Sequence, residues 1–245
     1  MRSPAAAVQE PVATSKLSLS GVFCGYGPID VIRNLSLSIA PGEIFALMGK
    51  NGMGKTTLLK TVIGLIPTRS GSVELDGNTI TDETPARLIA SGIGYAPQEQ
   101  PLFQDLSIRD NLRLALKSDS ATKAGFERAF GYFPFLGERL NQKAGTLSGG
   151  EQKMFILARA LMLQPSLLLI DEISEGLQPS VIEQISLALR NEQESHGTTI
   201  LIVEQNLDFV LGLADRWAVL KLGMIDDSGD VEDGTRDRIL EHLKI

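Results

Sequence analysis

The sequence predicts an α/β fold: a mostly parallel sheet core, an antiparallel β subdomain before it and a helical subdomain inserted in it. Three observations carry this prediction. Short apolar runs alternate with helical spacing from Gly150 onward, apolar and polar residues alternate near the start, and helical spacing dominates from about Ser107 to Lys143.

The elements follow in order. Met1 to Ser15 is rich in Ala, Pro and Ser, lacks the continuous apolar core of a leader peptide, and is expected to be a flexible tail. Residues 16–245 are expected to form one domain, with the helical subdomain at about 100–165. Lys16–Val22 and Leu35–Ile39 alternate as strands with one buried face, and Glu43–Met48 reads as a buried strand. A glycine-rich turn, a helix from about Lys55 to Ile66, and a strand from Ser72 to Leu75 come next, closed by the turn signal Asp76-Gly77-Asn78. The lobe is interrupted by Gly125, Gly131, Pro134 and Gly137. After Gly150 the order is helix, strand (Leu167–Ile170), helix (Val181–Glu194), strand (Thr199–Val203), helix (Leu207–Leu213), strand (Trp217–Leu220). Short apolar strands separated by helices imply parallel strands covered on both faces.

Composition narrows the function. The chain has 245 residues, 43% of them hydrophobic, which suits a packed domain rather than disorder. Its net charge of −7 comes without a basic run, which disfavours a non-specific grip on nucleic acid. Cys24 is the only cysteine, so an internal disulfide is excluded. No apolar stretch approaches the roughly 18 residues that a spanning helix needs.

Gly49-Lys50-Asn51-Gly52-Met53-Gly54-Lys55-Thr56, followed by Thr57, fits the phosphate-binding pattern G-x-x-x-x-G-K-S/T between a strand and a helix. Glycines let backbone N–H groups face phosphate oxygens, and the helix start adds partial positive charge. Lys55 brings a full charge to the β and γ phosphates, and the Thr56 hydroxyl is a hard ligand for Mg²⁺. The apolar run Leu167–Ile170 ends in Asp171-Glu172. Asp171 is expected to anchor Mg²⁺, and Glu172 to orient and deprotonate the attacking water. In Leu147-Ser148-Gly149-Gly150-Glu151-Gln152, Ser148 and Glu151 form a capping-box pattern. The glycines Gly149 and Gly150 add a patch of bare N–H donors, a second anion site. Two phosphate-binding helix starts in one chain suggest that two chains share two nucleotides.

Taken together, these motifs resemble the nucleotide-binding domain of ABC transporters, a P-loop NTPase, over residues 16 to 222. The resemblance implies ATP and Mg²⁺ as ligands and a homodimer, or a heterodimer with a paralogous ATPase subunit. It implies two membrane-spanning permease subunits, an indirect link to a substrate-binding protein, no nucleic acid, and a peripheral place on the cytoplasmic face of the inner membrane. It places Ser148, Gly149 and Gly150 against the γ-phosphate held by the partner, Tyr26 under adenine, and Gln98 at Mg²⁺ and the permease. A soluble ABC-type ATPase for repair would carry long coiled-coil inserts and one for translation two fused cassettes, and the sequence shows neither. A small-metabolite kinase would have no use for the Leu-Ser-Gly-Gly-Glu segment.

Finer features resemble the importers of branched-chain amino acids and the related urea and short-amide importers. Gln205, in Val203-Glu204-Gln205-Asn206, stands where most of the family has histidine; it can bond the γ-phosphate but not carry a proton, which leaves Glu172 as the base. The two histidines, His196 and His242, read as helix-end or surface residues. Glu175 to Ser180 resembles the urea-type branch especially. Two features depart from the family: Ile173 replaces a usual proline, which is expected to loosen the turn presenting Glu172, and Asp226 to Arg236 is acidic without an assigned role.

Overall fold

The computed structural model describes residues 15–99, 102–116 and 119–243, so the expected flexible tail, apart from Ser15, lies outside the described residues. Two sheets organise the chain. An antiparallel sheet contains β1 (Leu17–Tyr26), β2 (Ile29–Ile39), β4 (Thr68–Leu75) and β5 (Asn78–Thr79), in the order β2-β1-β4-β5. The larger sheet contains β3 (Ile44–Met48), β6 (Ile93–Ala96), β7 (Leu167–Asp171), β8 (Thr199–Glu204), β9 (Arg216–Lys221) and β10 (Met224–Asp230). Its order is β10-β9-β3-β8-β7-β6, parallel throughout except for the antiparallel edge strand β10.

Period-two geometry explains why the inner strands carry apolar side chains on both faces. In β3, Ile44, Ala46 and Met48 face one core while Phe45 and Leu47 face the other. The same split sends Leu168 and Ile170 of β7 one way and Leu167 and Leu169 the other; β8 divides Ile200 and Ile202 from Leu201 and Val203. The core holding Phe45, Leu47, Leu167 and Leu169 lies between this sheet, α1 (Lys55–Val62) and the antiparallel sheet. Each such side chain contributes about 1.5–3 kcal/mol by its burial, so an unpaired charge placed at any of these apolar positions destabilises the face that receives it.

The other core is covered by helices. Between β6 and β7 the described residues form helical structure: α3 (Ile108–Leu114), α4 (Asp119–Tyr132), α5 (Phe135–Glu138), a 3₁₀ turn (Ala144–Thr146) and α6 (Gly149–Leu161). Phe126, Ala129, Phe133 and Leu136 of this segment join Phe155, Leu157 and Leu161 of α6 in the core that also holds Leu168 and Ile170. A buried polar knot ties α4 to α7 (Pro179–His196): Arg128 donates to both oxygens of the fully buried Glu192 at 2.7 Å, and Thr198 donates to the same carboxylate.

Several boundaries differ from the sequence reading. The first helix ends at Val62 rather than Ile66, because Gly64 takes φ +76° and turns the chain. Strand β2 begins at Ile29, well before Leu35, and β6 and the short α2 (Pro85–Ala90) arise from segments with no clear periodicity. Helix α7 starts at Pro179, where proline's fixed φ suits the first helical position. The acidic segment has a structural role: it begins as edge strand β10, and Asp227 receives Arg238 from the last described helix (Thr235–Leu243) while Asp226 lies 2.8 Å from His242. His196 ends α7 as expected, with Gly197 in the left-handed conformation after it.

A candidate nucleotide site at the carboxyl ends of the parallel strands

Four strands of the parallel sheet deliver the functional residues from their carboxyl ends. This is where open α/β sheets bind ligands. β3 leads through Gly49–Gly54 into α1, β7 ends at Asp171 and Glu172, β8 ends before Gln205, and β6 leads to Gln98.

The loop after β3 depends on glycine at two points. Gly54 caps α1 with φ +104°, and a Cβ there would meet Ile32 Cδ1 at 2.8 Å. At Gly49 a Cβ would come within 2.7 Å of the Leu220 carbonyl oxygen of β9. The Lys55 side chain curls back along this loop, its Nζ donating to the carbonyls of Gly49 (2.7 Å) and Lys50 (3.2 Å). Its ammonium therefore stands at the mouth of α1 beside the N–H groups of the helix start.

That ammonium also pairs with Glu172 Oε1 at 2.9 Å, with both side chains almost wholly buried. Glu172 is the hub of the site. Gln98 Nε2 donates to its Oε2 at 3.0 Å, and Gln205 Nε2 donates to its Oε1 at 3.0 Å and to Asn51 Oδ1 at 2.6 Å. Gln98 also donates to Glu175 at 3.1 Å. Glu172 has φ +43°, a left-handed conformation that a non-glycine residue adopts only when its surroundings enforce it. Its N–H donates to the Val203 carbonyl at 2.9 Å.

Asp171, 1% exposed, accepts the Thr56 hydroxyl at 3.0 Å and the Tyr95 hydroxyl at 3.4 Å. Burial pushes its carboxyl above the ordinary aspartate range, and the Thr56 bond only partly opposes this. Among the described residues no three His, Cys, Asp or Glu side chains converge on one point. The Thr56–Asp171 pair is instead the sparse donor set, one hydroxyl and one carboxylate, that suits Mg²⁺ completing its shell with phosphate and water. A cleft of about 360 Å³ beside these groups is lined by Val31, Asn51, Gly54, Lys55, Thr56 and Gln98, among others.

Ile173 is buried in the core, and the next residue is tethered: Ser174 donates through N and Oγ to the two oxygens of buried Glu204, each at 2.9 Å. Burial raises the Glu204 carboxyl, and three backbone N–H groups and one hydroxyl hold it.

Thus Lys55, Thr56, Asn51, Gln98, Asp171, Glu172 and Gln205 converge. Others of the expected residues lie outside this network, although Gly52 and Thr57 still line the cleft. Lys50 and Gly52 are exposed on the loop, and Met53 accepts the Leu222 N–H through its sulfur at 3.3 Å. Thr57 lines the cleft from α1. Tyr26 ends β1 with 51% exposure and does not line the cleft. Ser148 is exposed, and its bonds stay within its own helix start: Ser148 N donates to Glu151 Oε2 at 2.8 Å, and Glu151 N donates back to Ser148 Oγ at 3.3 Å. Gly149 is exposed and Gly150 half-buried beside it. Sequence reasoning missed Tyr95, Glu175, Glu204 and Lys153, whose partners lie on other elements and leave no mark in local spacing.

Comparison with known proteins agrees with this geometry. Residues 32–175 match the family described as ABC transporter. The chain is 37% identical over 211 residues to the high-affinity branched-chain amino acid transport ATP-binding protein BraG of Pseudomonas aeruginosa, covering 85% of this chain and 90% of that protein. It is 34% identical over 222 residues to the probable branched-chain amino acid transport ATP-binding protein LivF of Archaeoglobus fulgidus, covering 90% and 92%. Among solved structures, a nucleotide-free ATP-binding cassette from an ABC transporter superposes with TM-score 0.84 at 25% identity, covering 92% of this chain and 95% of that one. The ATP-binding cassette MJ0796, solved as a dimer in a post-hydrolysis state bound to ADP and phosphate, superposes with TM-score 0.78 at 25% identity, covering 88% and 99%. Family match, cassette fold and a preformed phosphate cradle agree: this chain belongs to the ABC transporter family, as an ATP-binding subunit that hydrolyses ATP.

Proposed function

We propose that this chain powers uptake of branched-chain or other hydrophobic amino acids. It would act as one of two ATPase subunits docked on two permease subunits at the cytoplasmic face of the membrane. The observation that carries the reading is Gln205, bonded to both Asn51 and Glu172 where histidine is usual in the family. The similarity to BraG and LivF supports it. Among the described residues no helix is long and apolar enough to cross a membrane, so in this reading separate chains form the path.

In the mechanism we propose, Lys55 exchanges Glu172 for the β and γ phosphates, and Asn51 and the N–H groups of the loop cradle the same oxygens. Tyr26 stacks on adenine from its exposed position at the end of β1. Thr56 and Asp171 would hold Mg²⁺ with Gln98 beside them, and the ion would supply neutralising charge at the phosphates. Released from Lys55, Glu172 takes a proton from the attacking water, and Gln205 orients Glu172 by donating to its carboxylate. Ser148, Gly149 and Gly150 complete the partner's site, not their own.

One observation favours a second reading. Glu175-Gly176-Leu177-Gln178-Pro179-Ser180 resembles the urea-type branch, so a urea or short-amide importer is the alternative. Reconstitution with the cognate permeases and binding protein separates the two. Leucine, isoleucine or valine should stimulate ATP hydrolysis; stimulation by urea or acetamide alone would overturn the amino-acid reading in favour of the second.

A further inference from the structure

Lys153 lies on α6, just over one turn beyond the Ser148 cap. Its Nζ does not point to solvent. It donates to the backbone carbonyl of Gln98 at 3.1 Å and to that of Glu172 at 3.2 Å. These are the two residues whose side chains meet at 3.0 Å in the cleft. One ammonium thus joins the backbones of the loop after β6 and the turn after β7, while their side chains join in front of it.

We propose that Lys153 is a positioning residue for ATP hydrolysis, fixing the peptide of Glu172 and the loop of Gln98 so that the carboxylate faces the attacking water. The proposal rests on the reading of Glu172 as the base.

Three features support it. The left-handed backbone of Glu172 is intrinsically unfavourable, so its orientation is set by its partners: Val203 at the N–H and Lys153 at the carbonyl. A charged donor on a carbonyl bonds more strongly and directionally than a neutral one. Burial opposes the charge on Lys153, while Glu175, Glu204, Asp171 and Glu172 surround it and favour the ammonium. A consequence follows for the dimer. Ser148 and Lys153 ride on one rigid helix, so contact of the helix start with a partner's nucleotide is mechanically linked to the placement of the base.

The test uses the full chain with MgATP, measuring single-turnover rate, nucleotide affinity and thermal unfolding for Lys153→Met, Lys153→Arg, Glu172→Gln and the Lys153→Met/Glu172→Gln double variant. Lys153→Met keeps the length of the side chain and removes the donor. It should lower the rate about tenfold to a hundredfold, the scale of a small misplacement, while affinity changes less than about twofold. Lys153→Arg should recover at least part of the loss. In the Glu172→Gln background, Lys153→Met should cost less than about twofold further, because the group it positions is gone. A Lys153→Met rate within twofold of the parent overturns the proposal. So does full multiplication of its loss in the Glu172→Gln background, or a loss of rate that accompanies lost affinity and lower Tm without rescue by Arg. If Glu172→Gln itself hydrolyses at the parent rate, the base assignment fails first, and the two failures are told apart by that single variant.

Discussion

The two helix starts that the sequence marks for phosphate are built in opposite ways. At α1 the chain gathers Lys55, Thr56, Asp171, Glu172, Gln98 and Gln205 from four strand ends into one network around the buried Lys55, Asp171 and Glu172. At α6 it exposes Ser148 and Gly149 and satisfies them locally, with Glu151 closing the capping box and Arg139 bracing Glu151 at 2.7 Å. The first holds charge in low dielectric, where each contact is strong and each loss expensive. The second is exposed, and the Ser148–Glu151 bonds stay within the helix start. In the proposed function the pair are two halves of a composite site, each α1 network facing an α6 start from another copy or a paralogue.

The most damaging change to the first region should be Lys55→Ala. The cradle loses its one full charge toward the β and γ phosphates, and Glu172 loses its buried counter-charge. Calorimetry should find no tight MgATP binding; an unchanged dissociation constant would show that α1 is not the nucleotide site.

Ser148→Arg tests the second region and should be nearly as damaging to turnover for a different reason. ATP binding by the single chain should persist, while ATP-driven dimerisation and hydrolysis stop. Ser148→Ala is the control: it removes the cap at a cost of about 1 kcal/mol but adds no bulk. Should Ser148→Arg dimerise with ATP and hydrolyse at the parent rate, the exposed helix start is a cap and nothing more.

Much of the α1 region was legible in the sequence because its signals are local. The phosphate loop is contiguous, and β7 and β8 announce themselves as apolar runs since both their faces are buried. Edge strand β10 was not legible: it pairs on one side only, and its acids are matched by Arg238 and His242 from a later helix. Lys153 was hidden for the same reason. A lysine on a helix is ordinarily solvated, and only the packing of α6 against the sheet brings the carbonyls of Gln98 and Glu172 to it. The capping box of α6 was read correctly because Ser148 and Glu151 are three residues apart, within one turn.

Within the α1 network, Glu172→Gln should lower hydrolysis about 10²- to 10⁴-fold, the usual worth of a positioned general base. The amide keeps the size and much of the hydrogen bonding but cannot take the proton from water. Nucleotide affinity should hold or tighten, since a negative charge leaves the neighbourhood of the phosphates, and a closed ATP-bound dimer should accumulate.

The smallest effect is expected at Gln205, and it discriminates most finely between the members of the network. Gln205 Nε2 joins Asn51 of the phosphate loop to Glu172, so in the proposed mechanism it orients the base without being one. Gln205→His still offers a ring N–H in that place and should stay within about tenfold of the parent rate. Gln205→Ala leaves both oxygens without their donor and should be slower than the histidine variant, yet faster than Glu172→Gln. Single-turnover hydrolysis in the assembled transporter ranks all three on one scale. Were Gln205→Ala inert while Glu172→Gln turned over near the parent rate, the proton would be leaving by a route through Gln205's place, and the hub of the network would have to be reassigned from the end of β7 to the end of β8.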